Sequence, residues 1–389
     1  MSERADVAIV GGGVMGSALA YWLTRLEPRA RVVVIERDPT YATASSALSA
    51  ASIRQQFTTA VNVRISQASI EFLRHSAELL EADGVRPDIG LCERGYLYLA
   101  GAAGLPALRQ AHAIQSALGA QVALLDAVTL AERFRWLNTA DLVAGSLGLS
   151  GEGWFDGYLL LTALVRKARS QGAGYVRGEV VGFDLREERI EALRLADGSR
   201  LSCRYAVNAA GPWARVIARL AGLDLPVAAR RRTVYVLSCP DRPEGLPLLI
   251  DPSGFWIRPE GNGFIAGLPP PQDPDDAPLE PDYLTFESTL WPALAQRIPA
   301  FESARLEGAW AGYYEMNLFD HNGLVGFHPR IANFLLMNGF SGHGLQQAPC
   351  VGRAVAELIL HGRYVSVDLT ALDFGRVLRG EPLRELNVI

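Results

Sequence analysis

The pattern of apolar and polar positions switches between strand-like and helix-like periods from the first residues onward. Residues 6–10 (DVAIV) form a short apolar run rich in β-branched side chains, and a glycine-rich turn, GGGVMG, follows at 11–16. Apolar residues then recur at helical spacing from Met15 through Leu19, Trp22, Leu23 and Leu26, before a second strand-like run, RVVVIE, ends at Glu36. Strand, turn, helix and strand make a βαβ unit, whose crossover is right-handed because strand and helix share that twist. Residues 38–60 are rich in Ser, Ala and Thr and read as a loop. A helix of about 20 residues is expected next, with Val61, Ile65, Phe72, Leu73 and Leu80 on its apolar side and Gly84 beyond its end.

Residues 86–145 alternate short strand-like and helical pieces, such as GYLYLA at 95–100 and ALRQAHAIQSALG at 107–119. Another helix is expected over 158–171, followed by hairpin strands VVGFDL and IEALRL, with Asp197-Gly198 as a further turn. YAVNAAG at 205–211 reads as a strand entering a glycine turn. Residues 230–268 are antiparallel in character, with TVYVLS, FWIRP and FIAGL joined by DPSG and EGNG turns; Arg230-Arg231-Arg232 reads as a solvated turn, with a partner or phosphate site as the alternative. Six prolines in PPPQDPDDAPLEPD (269–282) exclude regular structure there, because each removes a donor and fixes φ. That segment is either a rigid surface excursion or a lid. The chain closes on a helix expected at 347–361. Together these elements predict an α/β fold. One nucleotide domain would be interrupted in sequence (1–85, 146–222 and 320–389), and an α+β antiparallel-sheet domain would come from 86–145 and 223–319.

Composition narrows the field. At about 150 residues per domain, 389 residues fit two to three domains. An apolar fraction of 49% with 20% charged residues excludes a disordered chain, and a net charge of −5 gives no cationic field for nucleic acid. No apolar run approaches the roughly 20 residues of a membrane span. Cys92, Cys203, Cys239 and Cys350 lie far apart without a CxxC, which argues against a zinc site or a disulfide framework. His321, His328 and Asp320 lack metal-ligand spacing, so no metal is expected. The short stretch before the first strand leaves no room for a signal peptide, and a cytoplasmic protein is expected. Of the 37 basic residues only Lys167 is a lysine, placed on a helix that reads as exposed.

The chemistry begins at Gly11-x-Gly13-x-x-Gly16. Gly11 allows the tight turn, Gly13 lets the backbone approach a pyrophosphate, and Gly16 lets helix and strand pack closely. The helix start, at Val14 and Met15, then offers N–H groups and a partial positive charge to phosphates. Glu36 ends the second strand, where a carboxylate accepts hydrogen bonds from a ribose and repels a 2′-phosphate; Arg37 follows it. FAD and NAD both fit this motif. Near the C-terminus, Gly339-Phe340-Ser341-Gly342-His343-Gly344-Leu345-Gln346-Gln347-Ala348-Pro349 looks like a second anion-binding helix start, with Pro349 in its first turn.

GGGVMGSALAYWL, the Ser45-Ser46 loop, NAAGPWA at 208–214 and GFSGHGLQQAP occur in the order found in the FAD-dependent D-amino-acid oxidase/sarcosine oxidase superfamily, which the chain resembles over nearly its whole length. SIRQQF at 52–57 and WAGYYEMNLFDHNGLVG at 310–326 resemble more closely the FAD-dependent oxidoreductase domain-containing protein family. That family includes a mitochondrial factor for assembly of respiratory complex I. The resemblance implies an FAD-binding Rossmann-like domain of the glutathione-reductase type, with the flavin between it and an antiparallel substrate sheet. Carried over by position, Gly11, Gly13, Val14, Met15, Gly16, Glu36 and Arg37 would hold the ADP moiety. Ser45 and Ser46 would lie near the pyrophosphate or ribityl chain, Ala210 and Gly211 near the dinucleotide. Gly342, His343, Gly344, Leu345 and Gln346 would line the pyrimidine end of the flavin. Arg54 falls near the arginine that grips the substrate carboxylate in sarcosine oxidases, and a guanidinium matches a carboxylate bidentately. Arg258 is a second carboxylate candidate. Tyr313 and Tyr314 could wall an amine. His343 could be a base, although its flanking glycines point to its backbone N–H rather than its ring.

Departures from the pattern matter too. Ala311 stands where monomeric sarcosine oxidases bond a cysteine to flavin, and no histidine occupies Ser45–Ala47, so noncovalent FAD is expected. Gln346 replaces a carboxylate-binding lysine, and no lysine lies near Pro271–Gln272 to assist oxygen. The resemblance therefore implies hydride transfer to flavin N5 from a secondary or tertiary amino acid such as sarcosine or dimethylglycine, or from a D-amino acid. An unidentified electron acceptor is favoured over oxygen. The alternative is an FAD-stabilised assembly or interaction factor with little turnover.

Overall fold

A computed structural model describes residues 4–386. Its first sheet runs in the order Leu324–Phe327, Phe334–Asn338, Arg200–Asn208, Arg4–Val10, Val32–Glu36 and Gly174–Arg177. Every neighbouring pair from Phe334–Asn338 to Gly174–Arg177 is parallel, whereas Leu324–Phe327 pairs antiparallel at the edge. The hairpin Val180–Arg186/Arg189–Leu195 adds to Arg200–Asn208. Strands buried on both faces must be apolar throughout, as Val32, Val33, Val34 and Ile35 are.

Helices Val14–Leu26, Ala60–Arg74, Gly157–Ser170 and Gly344–His361 cover one face. Ala18, Leu19, Leu23, Leu160, Leu164, Val351 and Val355 form the core between them and the sheet. The first and last of these helices cross so closely that a Cβ on Gly352 would lie 2.8 Å from Ala18 Cβ.

The second sheet runs Arg305–Asn317, Val227–Ser238, Gly263–Gly267, Trp256–Glu260, Leu248–Ile250, Tyr96–Ala100, Ala144–Gly148 and Val122–Asp126. All its pairs are antiparallel except Leu248–Ile250 with Tyr96–Ala100. Period-two alternation divides its faces. Leu97, Leu99, Leu249 and Ile257 pack against Phe286, Leu290, Leu294 and Phe301. Tyr96, Tyr98, Leu248 and Ile250 point the other way and cluster with Trp154 and Trp256.

Several elements differ from the expectation. The helix after residue 60 breaks at His75, whose N–H is shared between the Phe72 and Leu73 carbonyls, and resumes only as Ser76–Leu79. The 38–60 loop contains a single turn, Ser45–Leu48, and a two-residue strand, Ser52–Ile53, paired with Gly153–Trp154. Ala144–Gly148 belongs to the second sheet, so that sheet runs past the boundary expected at 146. Arg230, Arg231 and Arg232 lie within the Val227–Ser238 strand rather than in a turn, because the Arg305–Asn317 strand pairs with them throughout. The last long helix starts at Gly344, before the expected 347, which moves Pro349 out of the first turn and into the helix interior. No helix among the described residues is long and apolar enough to cross a membrane.

Candidate active site

A deep cleft opens where the carboxyl ends of the parallel strands meet the second sheet. It encloses about 1740 Å³ including its mouth. At one end the backbone shapes it. Gly11 has φ +99°, and a Cβ there would lie 2.4 Å from the Ala209 carbonyl oxygen. A Cβ on Gly16 would lie 2.0 Å from the Gly11 carbonyl oxygen, so only glycine permits this packing of helix on strand. Gly13 precedes the Val14–Leu26 helix without a side-chain cap, leaving the helix start facing the cleft. Ser46 Oγ accepts from Val14 N at 3.1 Å. Glu36 accepts from Gly12 N at 2.7 Å and from Asp38 N at 2.8 Å, and each carboxylate oxygen keeps capacity for a further donor.

Arg37 lies 4.4 Å from the ring centroid of Trp213, and both line the cleft. Sequence reasoning named Arg37 but not Trp213, although NAAGPWA contains it. Ala210 and Gly211 follow the Arg200–Asn208 strand and also line the cleft, as do Ser45 and Ser46. Ser45 Oγ donates to the Tyr313 carbonyl at 2.6 Å and so ties the two sides together.

At the other end side chains dominate. Gly342 (φ +90°), Gly344 and Leu345 line the wall, and a Cβ on Gly342 would collide with the Tyr314 ring. Glu315 lies buried beside this loop; Gly339 N–H donates to its carboxyl at 3.1 Å. Burial pushes the Glu315 carboxyl up to about 8, so it is largely protonated at neutral pH. Sequence reasoning passed over Glu315, because one acid among apolar strand residues carries no spacing signal.

Arg54 is 1% exposed. Its Nη2 lies 2.8 Å from His343 Nε2, and its backbone N–H donates to Gln346 Oε1 at 2.9 Å. A guanidinium only donates, so His343 Nε2 acts as acceptor and the ring is neutral with its proton on Nδ1. The rings of Phe57, Tyr98 and Tyr96 stand 4.4, 5.5 and 6.0 Å from the Arg54 guanidinium carbon. Burial moves the guanidinium below its ordinary pKa; the buried Glu152 carboxyl, raised to about 7 by burial, acts in the opposite direction on it.

The structure assigns the His343 groups differently from the expectation. Its backbone N–H is consumed within the loop, donating to the Phe340 carbonyl at 2.9 Å, while its ring meets Arg54. Arg258 uses its guanidinium on the Ala50 and Pro259 carbonyls and on Glu260, outside the cleft lining. Strand alternation separates the two tyrosines. Tyr313 OH donates to the Ala277 carbonyl at 2.6 Å, at the rim, whereas Tyr314 is the inner residue, with Arg232 5.1 Å from its ring centroid. Gly16, Arg54, His343 and Gln346 lie outside the immediate lining, with Arg54 reaching the 342–345 loop through His343. Among the described residues no group of His, Cys, Asp or Glu could hold a metal ion.

Residues 6–358 match the family described as FAD dependent oxidoreductase. The chain belongs to this FAD-dependent oxidoreductase family. It is 42% identical to "FAD-dependent oxidoreductase domain-containing protein 1" of Xenopus laevis, over 100% of this chain and 85% of that protein. It is 28% identical to the mitochondrial dimethylglycine dehydrogenase of Mus musculus, over 96% of this chain but only 44% of that protein. In structure it is similar to L-proline dehydrogenase from P. horikoshii, with a TM-score of 0.87 and 26% identity over 98% of this chain and 100% of that one. Glycine oxidase from Geobacillus kaustophilus gives a TM-score of 0.82, also at 26% identity, over 96% and 98% of the two chains. This family member is a flavoprotein, and its cleft fits FAD: backbone glycines and a helix start stand at one end, Tyr314, Glu315 and the 342–345 loop at the other.

Proposed function

We propose that this oxidoreductase oxidises a C–N bond in a secondary or tertiary amino acid. The observation that carries the reading is Arg54, a guanidinium buried among three aromatic rings and oriented by His343. A substrate carboxylate matches the planar fork of a guanidinium, and the aromatic rings around it keep that contact dry. The names of similar proteins, a proline dehydrogenase and a dimethylglycine dehydrogenase, support that substrate class. FAD, when bound, would supply the acceptor for one hydride, which carries both electrons away from the carbon next to nitrogen. The chain's own part is positional. Arg54 holds the carboxylate, Tyr314 and the 342–345 loop limit where the amine lies, and surrounding aromatic residues exclude water. A neutral His343 and a protonated Glu315 add no competing charge.

The cofactor binds without a covalent link, since Ala311 and Ser45–Ala47 offer no side chain able to form one. Lys167 donates to the Glu81 carbonyl at 2.6 Å, away from the cleft lining, so no lysine ammonium assists oxygen there. This supports an electron acceptor other than oxygen.

Anaerobic titration of the purified yellow protein with sarcosine, dimethylglycine, proline, pipecolate and D-amino acids tests the reading. One of these amines should bleach the flavin, and colour should return slowly in air. Rapid recolouring would make the protein an oxidase; no bleaching by any of them would remove the amine-oxidation reading.

A further inference from the structure

The proline-rich segment 269–282 is fastened to the second sheet by the three consecutive arginines. Arg230 pairs with Asp275 at 2.8 Å, and Arg231 donates to the Glu280 carbonyl at 3.1 Å. Arg232 grips Asp273 bidentately at 2.8 and 3.0 Å. Tyr313 OH and Tyr235 OH add bonds to the Ala277 and Asp282 carbonyls. With its prolines, the segment is a stiff strap rather than a loose loop.

Of the three arginines only Arg232 lines the cleft. Opposite Gly312, where no side chain intervenes, its guanidinium reaches the inner tyrosine. Two guanidinium groups lie on the Tyr314 side of the site: Arg232 stands 5.1 Å from its ring centroid, and Gly342, against the same ring, precedes His343, which contacts Arg54. The buried Arg232 Nε has no hydrogen-bond partner among the described residues. Asp273 remains partly open to water, with about a third of its side chain exposed. The pair is thus open to solvent on the Asp273 side, from which another carboxylate can compete for the guanidinium.

We propose that Arg232 is a second carboxylate-binding residue of this cleft, with Asp273 of the strap standing on its guanidinium where a ligand carboxylate would. The substrate class is then an N-alkylated amino acid with an acidic side chain: one carboxylate on Arg54, the other on Arg232. Binding displaces Asp273 and loosens the strap at that point. The inference rests on the reading that an amino-acid carboxylate binds Arg54.

Anaerobic titrations of the FAD-loaded protein with N-methylalanine and N-methylaspartate, followed by perturbation or bleaching of the flavin absorbance, isolate the second carboxylate. N-methylaspartate should bind about tenfold more tightly or better, Asp273→Asn should widen that difference, and Arg232→Met should abolish it while sparing N-methylalanine. Saturating N-methylaspartate should also speed cleavage of the parent protein by an aspartate-directed protease at Asp273–Asp276, where N-methylalanine should not. Equal affinities that Asp273→Asn shifts alike, or no binding of N-methylaspartate to that variant, overturn the proposal. Perturbation without bleaching would remove amine oxidation and leave the two-carboxylate site standing. Bleaching by N-methylalanine with equal affinities would do the reverse.

Discussion

At the nucleotide end of the cleft Gly11, Gly13 and Gly16 shape the wall by lacking side chains, and a helix start supplies the polar groups. At the other end Tyr314 and Glu315, from one strand of the second sheet, shape the wall with side chains, and Arg54 lies buried behind it in a loop among three aromatic rings. The difference teaches how each end tolerates change. Backbone cannot be relocated without moving the βαβ unit, so the first end is all-or-none. Side chains can be exchanged one at a time, so the second end is tunable.

Three substitutions sharpen this contrast. The largest effect is expected of Gly16→Val, whose Cβ must displace the Gly11 carbonyl and part helix from strand. It should yield protein without flavin colour, destabilised by about 3 kcal/mol or more, as read by absorbance and denaturant unfolding. A yellow Gly16→Val protein of parental stability would break the comparison. Arg54→Met should keep the flavin yet lower amine-driven reduction by roughly 10²–10³ in kcat/KM, the cost of one buried charge-assisted contact. Single-turnover kinetics on the FAD-loaded protein would show it.

Glu315→Gln should act most mildly, on pH dependence. The folded Glu315 pKa, about 8, lies above its unfolded value of 4.5, so the folded protein binds the extra proton between them. Its contribution to stability is present below pH 4.5 and is lost as pH rises to about 8. Glu152, raised to about 7, adds loss in the same direction. Thermal unfolding of Glu315→Gln across this range should show a shallower fall, by about one proton's worth. An unchanged slope would mean that Glu315 is ionised in the fold.

Much of the nucleotide end was legible in the chain because its signals are local. Glycine spacing, the strand before it and Glu36 after it all lie within one βαβ unit. The substrate end was legible only in part. Arg54 and Tyr314 were identifiable by resemblance, but Glu315, Arg232 and Trp213 carry no spacing signal of their own. Arg232 and Glu315 take their places from strand register, Arg232 opposite Gly312 and Glu315 opposite Ala229, whereas Trp213 is placed by the short helical turn after the Arg200–Asn208 strand. Arg258 illustrates the converse. An arginine on the strand FWIRP is a second carboxylate candidate by sequence, yet in the fold the Ala50 carbonyl and Glu260 occupy its fork.

The sequence by itself determined the βαβ start, the glycines that only a close backbone approach requires, the irregularity of 269–282 and the flavoprotein family. Those follow from residues near one another along the chain, where steric rules act directly. Only the tertiary structure decided that Pro349 lies inside a helix, that three arginines stand in mid-strand, that His343 turns its ring to Arg54, and that Tyr314 rather than Tyr313 faces inward. Each of those depends on which distant strand or loop supplies the partner, and pairing across 200 or more residues, as between Arg54 and His343, leaves no periodic trace in the sequence.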